Sequence, residues 1–358
     1  MNFKHLLNKL FFPSPKLILG IDLGAERVKV VQMNLKGRKP LVEDFVIADL
    51  PLELKTAGLT QHTEEMASFL HEVIYKHGFT AKYAIFSIGG RNAFVREIDM
   101  PNMPEAEMRQ AVTWDAGQYV PYEADSYYVD FAEFGTLTED GQQPIMLVAA
   151  PRDVVDSLVA VGDFLNLEII KLDIEVLSTY RTLGETYQNF LLLDMGNTFS
   201  KITIFQTGAP VAQRSIPHST FMFSGIIAQA LEIERTEADQ LIRTKDFLLK
   251  NNSAEEKVHK ALVEAADDLV RECQRTSEYY IMNKKTAVFT HLVLVGSGSN
   301  LSGLTSYLQE KLSLKVEQHD ILKQVAFSGK YQSDKVKAVA QSLTVAIGAA
   351  MSGGDLDD

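Results

Sequence analysis

Residues 17–31 read "LILGIDLGAERVKVV": an apolar run, an Asp-Leu-Gly turn, then a run in which polar and apolar residues begin to alternate. Short apolar or alternating runs mark strands, and an acid followed closely by glycine marks the tight turn between them. A carboxylate, Asp22, therefore stands at the tip of an otherwise ordinary hairpin. The chain explains it by repetition, because "FLLLDMGNTFSKITIF" at 190–205 has the same layout, with Asp194 matching Asp22, Gly196 matching Gly24 and Lys201 matching Lys29. A repeated strand–turn–strand unit points to two lobes of similar build.

At 358 residues the chain has room for two lobes of ordinary size, taking roughly 150 residues per domain. Its composition, 46% hydrophobic and 23% charged, is that of a globular protein. No apolar run approaches the roughly 18–20 residues that a bilayer-spanning helix needs, which points to a soluble chain. A net charge of -12 without a basic stripe disfavours nucleic acid as a partner. Cys273 is the single cysteine and reads as a small buried residue on a helix, while the scattered histidines have no partners at zinc-ligand spacing.

The first lobe is expected to hold strands near 17–23, 27–34 and 41–48, a helix near 62–77 and the buried strand "KYAIFSIGG". A β-rich stretch over 91–165 reads as an insertion, after which the chain returns to lobe one at 166–188 and again at 336–351. Residues 189–218 and 286–335 form the core of lobe two, 219–285 its helical part, and 352–358 an acidic, solvated tail. The stretch "KVKAVAQSLTVAIGAAM", 335–351, reads as one amphipathic final helix. At the other end, residues 1–16 carry Phe3, Leu6, Leu7, Leu10 and Phe11 on one helical face, which suits a weak interfacial anchor, a helix docked on the protein itself or a frayed tail.

Each Asp-x-Gly turn offers backbone N–H groups to an anion and a carboxylate to a hydrated divalent ion. Asp22 and Asp194 approaching from opposite lobes would bracket a Mg²⁺-triphosphate. Lys29 and Lys201, seven residues on, either reach back to a phosphate or lie as solvated strand residues. In "LVLVGSGSNLSGL", 292–304, a buried strand runs into Gly296, Ser297 and Gly298, where a ligand could approach the backbone; the spacing is not that of a dinucleotide fingerprint, since Leu301 stands where the last glycine belongs. Glu175, at a strand-to-helix junction, either orients water toward a γ-phosphate or caps its helix.

Two phosphate turns, a glycine-rich loop and a packed final helix, in this order, resemble the superfamily of actin, sugar kinases and DnaK-type chaperones. Within it, "ILGIDLGAERVKVVQM", "YVPYEADSYYVDFAEFG", "QRSIPHS" and "ECQRTSEYYI" resemble the PilM family of type IV pilus assembly proteins, relatives of the cell-division protein FtsA. The resemblance implies an actin-like, two-lobed α/β fold of duplicated RNase H-like domains with an FtsA-like inserted subdomain. It implies ATP and Mg²⁺ in the cleft, with Asp22 and Gly24 in phosphate turn one, Asp194, Gly196 and Asn197 in turn two, Gly296–Gly298 in the adenosine loop, and Arg275 and Thr276 on the adenine side. It further implies a cytoplasmic scaffold, peripheral to the inner membrane, that takes the cytoplasmic N-terminus of PilN in a groove between lobe one and the insert and links the platform to the assembly motor. Ala25 and Glu26 depart from the hydroxyl residues usual after turn one, where an acid pointing inward would weaken nucleotide binding, and His218-Ser219 depart from a usual glycine pair; both changes count more against fast ATP hydrolysis than against ATP binding. Competing readings are a small-molecule kinase or ATPase turning over at Glu175 or Asp173, and an FtsA-like filament former.

Overall fold

A computed structural model describes residues 17–57, 59–90, 92–184, 187–248, 256–283 and 288–357; the expected N-terminal amphipathic helix lies outside the described residues. Strands β1 (Leu17–Leu23) and β2 (Arg27–Asn34) form the first hairpin, and β3 (Leu41–Asp49) continues it antiparallel. With β4 (Tyr83–Ile88) and β8 (Glu168–Ile174), both parallel to β1, and the short β14 (Ala326–Phe327), they build a sheet of order β14-β3-β2-β1-β4-β8. The second sheet has the order β11-β10-β9-β12-β13, from β9 (Phe190–Met195), β10 (Ser200–Gln206), β11 (Ala209–Ile216), β12 (His291–Val295) and β13 (Lys315–Gln318). The duplication thus extends beyond the hairpin, since an antiparallel meander followed by a parallel strand is the pattern of both sheets.

The edge strand β14 (Ala326–Phe327) pairs with β3, so the chain returns to the first sheet before residue 336. Helices α1 (Leu52–Ala57), α2 (Thr63–His77) and α4 (Arg152–Phe164) lie on one face of that sheet. Val154, Leu158 and Val161 of α4 share the core of Leu19, Ile21 and Phe86, so α4 packs with lobe one rather than with the insert in which sequence had placed it.

The last segment departs from the expected single amphipathic helix. It splits into α10 (Ser333–Ala340), a short 3-10 turn and α11 (Thr344–Met351), and α11 is buried on all sides except at Met351. A helix apolar all round belongs in a core, and its small residues allow backbone-to-backbone approach. A Cβ on Gly20 of β1 would fall 1.9 Å from Ala346 O, and one on Gly348 would fall 1.8 Å from Ser178 O of α5 (Glu175–Leu183). The tail that follows is not fully solvated either, because Ser352 and Gly353 are buried beneath sheet one.

The inserted sheet, β5-β7-β6, comprises β5 (Phe94–Pro101), β6 (Tyr127–Glu133) and β7 (Gln142–Pro151). Alternate residues of β7 face opposite ways. Ile145, Leu147 and Ala149 pack on α3 (Glu105–Asp115), whereas Met146 joins Phe190, Phe205 and Val293 of lobe two. The rest of lobe two's cover is helical: α6 (Thr220–Leu231), α7 (Arg235–Thr244), α8 (Glu256–Asn283) and α9 (Leu304–Leu312). Cys273 is buried on α8, as expected, and burial pushes its thiol up to about 12. No helix among the described residues is long and apolar enough to cross a membrane.

Candidate functional site

A cleft of about 570 Å³ opens between the two hairpin sheets, and both Asp-x-Gly turns line it. Asp22 faces it from β1 and Gly24 from the turn that follows, while Asp194 faces it from β9 and Gly196 and Asn197 from the turn after that strand. Gly24 closes the first turn through its N–H to Arg27 O at 3.0 Å. The second turn is held from behind by a helix start, where the N–H groups of Thr220 and Phe221 donate to Gly196 O and Asn197 O at 3.0 and 3.1 Å. Ser219 caps that helix by accepting the Met222 N–H at 3.1 Å, which gives this serine a local role. Its neighbour His218 accepts the Ser200 hydroxyl at its carbonyl, and burial lowers the pKa of its ring.

Gly296 and Ser297 line the same cleft, with Gly298 just behind them. Gly296 has φ +81°, and a Cβ there would lie 2.4 Å from Asp194 Oδ1 and 2.7 Å from Met195 O. The glycine is required both by the left-handed backbone and by the acid it packs against. Gly298 is equally confined, 2.6 Å from Thr220 Oγ1 by the same construction.

Neither lysine is the solvated strand residue that one reading allowed: both line the cleft, and each is paired with a carboxylate there. Lys29 lies opposite Asp22 in register and donates to its Oδ2 at 2.6 Å. Lys201 lies opposite Asp194 but forms its ion pair with Glu175. Glu175 does not cap its own helix; its Oε2 also accepts the Gly90 N–H at 3.2 Å. Burial works to raise the Glu175 pKa, and the Lys201 ammonium, the Gly90 N–H and the Lys29 charge together hold the carboxyl below its ordinary value. Asp194 goes the other way: burial, then the neighbouring Glu175 charge, push it up to about 7.

Two expected positions lie elsewhere. Arg275 is largely exposed on α8 and pairs with Glu272 at 3.5 Å, and Thr276 donates to Glu272 O at 2.8 Å; neither lines the cleft. Their helix packs its apolar stripe into lobe two, with Thr276 buried on that stripe and Arg275 turned outward, and Asp239 and Arg243 of α7 reach the cleft instead. Asp173, offered as an alternative turnover site, is buried away from the cleft, where it accepts from Ser178 at 2.7 Å and Arg181 at 2.8 Å. Glu26, the acid after turn one, pairs with Lys55 at 3.2 Å, which offsets its charge at the cleft wall.

The donor set suits a polar, anionic ligand carrying a hard cation. Ser87 Oγ and Gln341 Oε1 both belong to cleft-lining residues, and both are buried without a partner among the described residues. No cluster of three or more His, Cys, Asp or Glu groups able to cage a metal occurs among the described residues. A cation here would rest on one or two carboxylates plus ligand oxygens and water, the preference of Mg²⁺. With Lys29 already on Asp22, Asp194 is the carboxylate better placed for it. Ser87, Gln341, Gly89-Gly90 and Arg243 were missed from sequence. The glycine pair ending β4 was a usable signal for a loop at the cleft; nothing local marks the others.

A family profile described as type IV pilus assembly protein PilM matches residues 20–353. The chain belongs to the PilM family. A solved structure of the PilM-PilN type IV pilus biogenesis complex is similar to this PilM-family chain at 24% identity and TM-score 0.78, covering 95% of this chain and 99% of that one. MreB 5 of Spiroplasma citri, bound to AMPPNP, is similar at 12% identity and TM-score 0.54 over 96% and 98% of the two chains. The ethanolamine utilization protein EutJ from Carboxydothermus hydrogenoformans is similar at 16% identity and TM-score 0.51 over 97% and 96%. These likenesses establish the actin-like fold expected for the PilM family.

Proposed function

We propose that this PilM-family chain is an ATP-binding, actin-like scaffold of type IV pilus assembly. The observation that carries the nucleotide part is the facing pair of duplicated turns, with Asp22 and Asp194 on either side of one cleft and Gly296 packed against Asp194. When bound, Mg²⁺ would neutralise phosphate charge beside Asp194, and the N–H groups of the two turns would orient the phosphates. Turnover is expected to be slow or absent, because Glu175, the acid expected to orient water, already serves Lys201 and Gly90.

The partner part rests on the family and on a relative solved as a PilM-PilN complex. We take the occupant of the groove between lobe one and the insert to be the cytoplasmic N-terminus of a PilN-like platform protein. That contact would hold the chain at the cytoplasmic face of the inner membrane and connect the platform to the assembly motor.

The test is calorimetric titration with a synthetic peptide of that N-terminus, with and without Mg-ATP, on the wild-type chain and on Asp194→Ala. The expected result is saturable 1:1 peptide binding by both, and Mg²⁺-dependent ATP binding by the wild type alone. Absence of peptide binding in either nucleotide state would overturn the scaffold reading, and unchanged ATP affinity in Asp194→Ala would overturn the site.

A further inference from the structure

The two hairpins carry a lysine at the same register position and send it to different partners. Lys29, opposite Asp22, bonds that aspartate within its own hairpin. Lys201, opposite Asp194, passes its aspartate by and pairs with Glu175 Oε2, on the helix that follows the other sheet. The same oxygen accepts the Gly90 N–H from the loop after β4. One carboxylate thus gathers a donor from each lobe at the floor of the cleft.

The surroundings leave this arrangement little freedom. A Cβ on Gly89 would fall 2.2 Å from Glu175 Oε2, so the loop backbone rests directly on the carboxylate. Lys201 is itself buried, 5% exposed. Removing one member of a buried ion pair leaves the other charge stranded, which makes such a pair far harder to break from one side than an exposed one. The duplicated position has therefore been diverted from closing a hairpin to fastening one hairpin to the opposite lobe.

The geometry points to Lys201 as a positioning residue that, through Glu175, ties the second phosphate turn to the Gly89-Gly90 loop and so keeps the two sides of the cleft in fixed relation around a ligand. The nucleotide consequence rests on the reading given under the proposed function; the joint itself does not. Lys201 is committed to Glu175, and Asp194 lines the cleft beside that pair. Lys29 offers no substitute, because it is already bonded to Asp22.

Two measurements on the full chain test this. Hydrogen exchange of the ligand-free protein should show the segment around Gly90 exchanging about tenfold faster in Lys201→Met, with Lys201→Arg restoring protection, since local opening follows the contacts that hold a loop shut. Dissociation of a fluorescent ATP analogue with Mg²⁺ should speed up by about tenfold in both Lys201→Met and Glu175→Gln, with the double variant no faster than the faster single one, because the two act through one contact. Unchanged exchange at Gly90 in Lys201→Met, or multiplicative rates in the double variant, would overturn the proposal. If Lys201→Met proved too unstable to purify, Lys201→Gln and Glu175→Gln would carry the exchange comparison. A wild-type chain that binds no nucleotide yet shows the exchange response would support the joint and overturn the nucleotide reading, so the two fail separately.

Discussion

Replacing Gly296 by alanine tests whether the glycine loop and Asp194 form one site. The residue has φ +81°, and the left-handed region costs an L-residue about 1–2 kcal/mol. The added methyl would also sit 2.7 Å from Met195 O and 2.4 Å from Asp194 Oδ1, an overpacking that costs about 1–3 kcal/mol as the neighbours shift. Together these give about 2–5 kcal/mol. Unfolding entropy of about 2.1 cal/mol/K per residue over 358 residues converts that to a fall in Tm of about 3–7 °C for a single transition of the whole chain. The carboxylate, pushed out of place, should forfeit a charged contact to the ligand of about 1.5–3 kcal/mol, which is about 10–150-fold in the Kd for Mg-ATP. Scanning calorimetry and a fluorescence titration read the two effects. Gly329→Ala, where a Cβ would meet nothing within 4 Å, is the control and should change neither. A Gly296→Ala chain that melts with the wild type and binds Mg-ATP within about twofold of it would refute the reasoning, because both numbers come from the same crowded position.

Gly348→Ala should destabilise the chain by about 3–5 kcal/mol in urea unfolding, through the 1.8 Å approach to Ser178 O and the loss of the 2.9 Å Arg181 bond to Gly348 O; an effect below about 1 kcal/mol would contradict the packing of α11 on α5. His319 is buried with its pKa lowered to about 4, its Nε2 lying 3.1 Å from the Thr182 hydroxyl. Because the unfolded chain takes up this proton near pH 6.5 and the folded chain resists it until about 4, the contribution of His319 to stability is complete above pH 6.5 and is lost as pH falls toward 4. Between pH 7.5 and 5 that loss is about 2 kcal/mol, and His319→Gln should lack this part of the pH dependence; an unchanged slope in the variant would count against a buried neutral histidine.

Much of the site was legible because it is written twice in local sequence. Antiparallel pairing across a tight turn sets its own register, so Asp22 facing Lys29 and Asp194 facing Lys201 follow from spacing along one hairpin each. The glycines at 296–298 were legible for a similar reason, since a strand running into glycine, serine and glycine announces a backbone that something approaches closely. Arg275 and Thr276 lie outside the cleft lining because their place depends on how α8 is rotated against lobe two, and a long helix with mixed charges does not declare which flank will meet a cleft. The final segment failed for a related reason. Its small residues read as one face of an amphipathic helix, yet Gly20 of β1 and Ser178 of α5, more than 160 residues earlier in the chain, bury α11 from two sides.

From the sequence alone come the doubled hairpin, the two-lobed plan and the acids at the turns, because each depends on neighbours a few residues apart and on a pattern that repeats. Tertiary structure alone decides which partners those residues meet: Lys29 held by its own aspartate, Lys201 drawn across to Glu175, Asp194 left beneath Gly296, and Arg243 rather than Arg275 at the cleft wall. Identical residues at identical register positions part ways there, since a charge pairs with whatever opposite charge the packing of distant segments brings within reach, and no local spacing encodes that.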